Sequence, residues 1–210
     1  MYMTREDLAH LRALGIDLSA LGLEQGGIEL NAYFCTPVGA EPVGAIGCDG
    51  VHFVLLPGDE RVFCVDPSMG EIGTFVLPVG EDLRQFLSFV LYCRDANPIS
   101  QIWWMNEKQF RDLLREDAEA SWPGSEAFFA KRDAALSAVA AAFCLAPEDP
   151  FEKVKAMQAA FDPSVLSFSA EYYDVLGLEP PEGVELTDHT PGPEDTVTFK
   201  VEICGGEDKQ

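Results

Sequence analysis

Apolar positions run almost unbroken through "VHFVLL" (51–56) and "RVFCVD" (61–66), with "PGDE" (57–60) between them. Two short apolar runs around a Pro-Gly-Asp turn predict a β-hairpin. The first run is apolar on both faces except at His52, which predicts a central strand covered on both sides. "EIGTFVLP" (71–78) predicts a further strand, and so does "IELNAYFC" (28–35). The intervening "TPVGAEPVGAIG" (36–47) is rich in Pro and Gly and reads as a loop.

Elsewhere the period lengthens to that of helices. "TREDLAHLRAL" (4–14) has Thr4 as a cap, Glu6 and Asp7 at the positive end and Gly15 as a stop. In "EDLRQFLSFVLYCRD" (81–95), Leu83, Phe86, Leu87 and Val90 form one stripe, widened by Phe89, Leu91 and Cys93. A helix this apolar is expected to lie along a sheet and to end at Asn97–Pro98. "NEKQFRDLLRED" (106–117) is amphipathic, with Asn106 as cap and Phe110, Leu113 and Leu114 inward. After Trp122–Pro123–Gly124 the chain becomes Ala-rich. Helices are predicted over 125–144, over 149–161 with Asp149 as cap and Pro150 in the first turn, and over 169–177 with Gly177 as terminator.

Residues 179–194 are Pro- and Glu-rich and read as a linker. "DTVTFKVEI" (195–203) then alternates, with Val197, Phe199, Val201 and Ile203 on one side. This is the pattern of a half-buried strand, expected to return to the sheet of its own chain because nothing adjacent in sequence can pair with it. Strands in the first half, helices in the second and one late strand make an α+β protein. The expected fold is a twisted, mostly antiparallel sheet with helices packed on it, extra C-terminal helices and a late C-terminal strand. A single domain is expected over 1–178, with 125–177 as a helical extension.

Charge narrows the function. Fourteen basic residues stand against 36 acidic ones, a net charge of −22 in 210 residues. The excess is −9 over residues 1–105 and −13 over 106–210, so it is not one acidic tail. Solubility alone is one reading of such a field; the other is that it repels nucleic acid and anionic membranes and draws in basic partners. The N-terminal "MYMTREDLAH" lacks an apolar leader, and no stretch reaches the roughly 18 apolar residues of a membrane span. The six cysteines include no CxxC pair, and Cys64 and Cys93 sit in apolar runs as buried thiols do. A reducing cytoplasm is the expected location.

"GCDGVHF" (47–53) places Cys48, Asp49 and His52 within five positions and invites a metal or thiol reading. Zinc needs about four converging ligands, yet the other histidines, His10 and His189, have no cysteine close in sequence. A Cys–His catalyst needs an exposed thiol and an orienting third group. A turn explains more residues: Gly47 and Gly50 permit the backbone angles, Asp49 caps and His52 starts a strand. "WW" (103–104) and "EYYD" (171–174) read as anchors of neighbouring helices, since base stacking would need basic residues around them. There is no GxSxG, GxGxxG or Walker sequence, so no catalytic residue, cofactor or metal is expected.

The segments "GCDGVHFVLLPGDERVFCVDP", "VLPVGEDLRQFLSFVLYC" and "NEKQF", within residues 33–110, resemble the SUKH superfamily. That group comprises bacterial toxin-immunity proteins and a fungal cell-wall-assembly regulator. In it a glycine-flanked turn enters a strand pair and a Phe/Leu-rich helix follows, here Asp82–Leu83 through Phe86–Leu87. "AFDPSVLSFSAEYYDVLG" looks like the C-terminal part of uncharacterised bacterial relatives. The resemblance implies a SUKH-like α+β fold and binding in place of catalysis, since family members occupy the active sites of toxins. The expectation is a non-catalytic cytoplasmic protein, monomeric or weakly dimeric. Its partner is a basic protein such as a nuclease toxin, with neither nucleic acid nor membrane as a target. The expected partner-binding residues are Asp49, Asp59, Glu60, Asp66, Asp112 and Glu116. Two alternatives stay open: a regulatory or scaffolding domain for a peptide or small ligand, and an enzyme using Cys48 and His52.

Overall fold

The computed structural model describes residues 3–25 and 33–181. Its centre is the predicted hairpin, β2 (His52–Leu55) paired antiparallel with β3 (Val62–Val65). Asp59 closes the turn between them: its Oδ1 accepts the Arg61 backbone N–H at 2.9 Å, and its carboxylate holds the Arg61 guanidinium in a fork. β1 (Glu41–Ala45) and β4 (Val76–Gly80) flank the hairpin, giving an antiparallel sheet in the order β1-β2-β3-β4.

Period-two alternation then divides the side chains between two faces. Phe53, Leu55, Val62, Cys64 and Val79 enter one core cluster. Val54, Phe63, Val65 and Val76 enter a second on the opposite face. Every β2 and β3 residue is buried, as a strand pair covered on both sides requires.

The first face is covered by helices. These are α1 (Met3–Ala13), α2 (Leu83–Cys93), α3 (Asn97–Ser100), α4 (Glu107–Glu119), α5 (Ser125–Phe143) and α6 (Phe151–Ala159). Phe86 is fully buried and tilted against Phe53, with ring centroids 4.9 Å apart. Burying a side chain of that size contributes roughly 2–3 kcal/mol. α2 starts where the Asp82 carboxylate accepts the Gln85 N–H at 2.7 Å. α4 has a reciprocal capping box between Asn106 and Gln109. α5 and α6 bring Leu136, Val139, Phe143, Phe151 and Val154 into the same cluster as the sheet. The second face is covered by Phe34, Phe161, Leu166 and Phe168, together with α7 (Ala170–Leu176).

Several elements depart from expectation. Residues 41–45, read as loop, form the edge strand β1. Pro42 is tolerated there because β1 pairs through a bulge and its outer side meets Arg12, whose guanidinium donates to the Pro42 carbonyl. Gly44 is required by close approach, since a Cβ there would sit 2.9 Å from Leu23 Cα. The 71–78 strand begins only at Val76, because Thr74 and Phe75 close a turn onto the Glu71 carbonyl. Residues 33–35 of the expected 28–35 strand form a turn; residues 26–32 lie outside the described residues. α2 ends at Cys93 on the left-handed Arg94 (φ 66°), and Asn97–Pro98 starts the short α3 instead of ending a helix. The expected strand 195–203 and most of its linker also lie outside the described residues.

Candidate functional site

The "GCDGVHF" stretch is the tight turn from β1 into β2. Gly47 (φ 87°), Asp49 (φ 54°) and Gly50 (φ 71°) all adopt left-handed angles. A side chain at Gly50 would meet the Tyr33 ring at 2.5 Å, so glycine is needed for space as well as for angle. His52 points inward, 1% exposed. Its Nδ1 lies 2.7 Å from the Gly50 carbonyl, which only accepts, so Nδ1 bears the proton. Nε2 is then the acceptor for the Thr36 hydroxyl at 3.2 Å. Both ring nitrogens are committed, and burial pushes the imidazole pKa below its ordinary value against the pull of the Gly50 bond.

Cys48 is exposed, and its thiol is pushed up by partial burial and by Asp49. That is the reverse of the depression an activated thiol shows. Cys35, Cys64 and Cys93 are buried free thiols, Cys35 pushed up to about 12 by burial. Among the described residues no three His, Cys, Asp or Glu side chains converge as metal ligands.

The six expected partner-binding carboxylates fall in separate places. Asp49 is exposed at the tip of the β1–β2 turn. Asp59 and Glu60 lie at the other end of the hairpin. Burial acts to raise the Asp59 carboxyl, but the Arg61 fork outweighs it and holds Asp59 below the ordinary range. Glu60 accepts the Thr4 backbone N–H at 2.9 Å and anchors the start of α1. Asp66 is only 6% exposed and is spent on the turn after β3, where its Oδ1 accepts from Ser68 and Met69. Asp112 and Glu116 share α4. Asp112 is paired with Lys108 and Arg115, and Glu116 is exposed. The described residues thus do not gather the six into one patch.

A feature the sequence did not single out lies on the second face of the sheet. A cavity of about 300 Å³ opens between the β3–β4 loop and the segment leading into α7. Ile72, Phe75 and Val76 form one wall, and Leu166, Phe168 and Tyr172 the other. Tyr172 is fixed by stacking on Phe168, 4.0 Å between centroids, and by an edge contact to Phe75. Exposed apolar side chains continue along the same two segments: Met69 and Ile72 on one, Val165 and Val175 on the other. The only early sign was "EYYD", whose first tyrosine is this wall.

The charged residues within the two segments that line the cavity share one sign, and Arg61, which lies over Phe161, is paired with Asp59. Residues 66–76 and 161–178 contain Asp66, Glu71, Asp162, Glu171 and Asp174 and not one Lys or Arg. All of these acids except Asp66 are exposed. The Asp162 carboxyl is held below its ordinary value by hydrogen bonds from Ser164. A wider depression of about 530 Å³ near α6 has mixed lining. Its cations are already matched, Arg61 by Asp59 and Lys153 by Glu148. Of the Trp pair, the Trp103 backbone carbonyl accepts from Lys155 at 2.9 Å, and Trp104 is 42% exposed. No helix among the described residues is long and apolar enough to cross a membrane. No known protein family, curated protein or solved structure matches this chain.

Proposed function

We propose that this chain is a non-catalytic binding protein for a basic protein partner, acting in the cytoplasm in the manner of the SUKH immunity proteins it resembles. A nuclease toxin domain is the partner that fits best, because its nucleic-acid groove is basic and an acidic surface can occupy it. One observation carries the reading. Every described Lys and Arg except Lys155 is held in an ion pair within the chain. Among the described residues positive charge is therefore matched internally apart from Lys155, and surplus carboxylates such as Glu116, Glu119 and Glu126 are exposed. The test is titration of the purified chain into basic nuclease toxin domains, starting with any encoded beside it. The expected result is stoichiometric loss of nuclease activity and an affinity that falls as salt is raised. Absence of binding to every basic domain, or binding indifferent to salt, overturns the proposal.

A second reading, a regulatory or scaffolding domain that binds a peptide or small ligand, is favoured by the apolar cavity between Phe75 and Tyr172. The enzyme reading through Cys48 and His52 has least support. The imidazole is buried with both nitrogens engaged, and the thiol is shifted away from its reactive form.

A further inference from the structure

We infer that the cavity between the β3–β4 loop and α7 is the seat of an apolar anchor residue within a basic segment of the partner. The inference rests on the basic-partner reading and adds where that partner docks. Shape and charge support it separately. The cavity is lined by Phe75, Val76, Leu166, Phe168 and Tyr172, already packed in place, so it needs little reorganisation to accept an aromatic or branched side chain. Ile72, 61% exposed at its mouth, is an apolar surface with no described cover. Glu71, Asp162 and Glu171, each next in sequence to a lining residue, and Asp174 are exposed, and neither lining segment contains a Lys or Arg. An apolar hole between two segments whose own charges are all acidic favours a segment that places Lys or Arg on either side of one apolar residue.

The same acidic segments disfavour the other occupants. A second copy of this chain brings net charge −22 against them. Residues 182–210 carry eight carboxylates against Lys200 and Lys209, a net charge of the same sign as these segments.

The experiment is backbone NMR on the ¹⁵N-labelled full chain, titrated with a short synthetic peptide holding one central Phe among lysines and glycines. Expected are shifts concentrated at residues 71–76 and 163–172. Affinity should weaken about tenfold or more when the peptide's Phe becomes Gly, and vanish when its lysines become glutamates. Ser164→Arg, which puts bulk and positive charge at the cavity wall, should abolish binding while the melting temperature holds. Ile72→Gln should weaken binding, and Ser137→Ala, exposed on α5, should not. Peptide shifts elsewhere on the chain, or undiminished binding by Ser164→Arg, overturn the site and leave the basic-partner reading standing. Failure of every basic peptide and every basic domain to bind removes both. Cavity resonances that move in Phe199→Asp without peptide reveal the tail in the cavity, and those that move with protein concentration reveal a second copy. Either result overturns the inference.

Discussion

At the scale of single residues, His52 shows how one side chain is turned from chemistry to architecture. The sequence placed it beside a thiol and a carboxylate; the fold rotates it inward and gives each nitrogen a partner, Gly50 and Thr36. Strand alternation explains why: Phe53 faces the helical core, so its neighbour must face the other cluster. The buried imidazole is neutral, and burial lowers its folded pKa below the ordinary value. The unfolded chain takes up that proton at about pH 6.5, before the folded chain does. This contribution to stability is therefore complete above about pH 6.5 and is lost as pH falls from there through the lower folded pKa. Urea denaturation of the wild type and of His52→Asn at a series of pH values isolates it from the many carboxylates, which both proteins share. The wild type should show an extra loss of stability below about pH 6.5 that the variant lacks. Parallel pH curves would mean that His52 titrates alike in both states.

At the scale of elements, tight joints between helices depend on single capping residues. Asp149 is the clearest. Its Oδ1 accepts the Phe151 N–H at the start of α6, and its Oδ2 takes Arg111 of α4 at 2.6 Å and the Tyr92 hydroxyl of α2 at 3.0 Å. Asn106 serves α4 alone. Asp149→Ala should therefore cost about 2 kcal/mol against about 1 for Asn106→Ala, measured by chemical denaturation. Equal losses would show that the Tyr92–Arg111 contacts add nothing. The Asn106 cap was legible in the sequence, as were the hairpin and the helical stripes, because each is a local pattern; Asp149, expected as the cap of α6, stands one position before its N-cap Pro150 and still takes the Phe151 N–H. β1 was not. Its Pro42 and Gly44 look like loop residues until the partner strand and Leu23 are in place, and those contacts are distant in sequence. The cavity was missed for the same reason: Phe75 and Tyr172 are almost a hundred positions apart, and only the sheet brings them together. The extra turn before Val76 was hidden because Ile72 and Phe75 fit a strand pattern equally well.

At the scale of the whole molecule, the sheet carries helices on one face and an aromatic cover on the other, and an acidic field surrounds both. That field acts on folding and on binding with opposite sign. In the free chain, surplus carboxylates repel one another and oppose compaction. The ion pairs that screening would weaken are largely half-exposed, such as Arg12–Glu41 and Arg94–Asp133, and pairs of that kind contribute about 0–1 kcal/mol each. Repulsion among the unmatched acids outweighs them. Raising sodium chloride from about 10 mM to about 0.5 M shortens the Debye length from roughly 30 Å to roughly 4 Å. The melting temperature should therefore rise by several degrees over that range. The affinity for a basic partner should fall over the same range, because there the screened interaction is attractive. Calorimetry of the free chain and titration of the complex across one salt series check both signs. A melting temperature that falls with salt would mean that the internal ion pairs dominate the free chain, and the outward acidic field would then be too weak to select a basic partner.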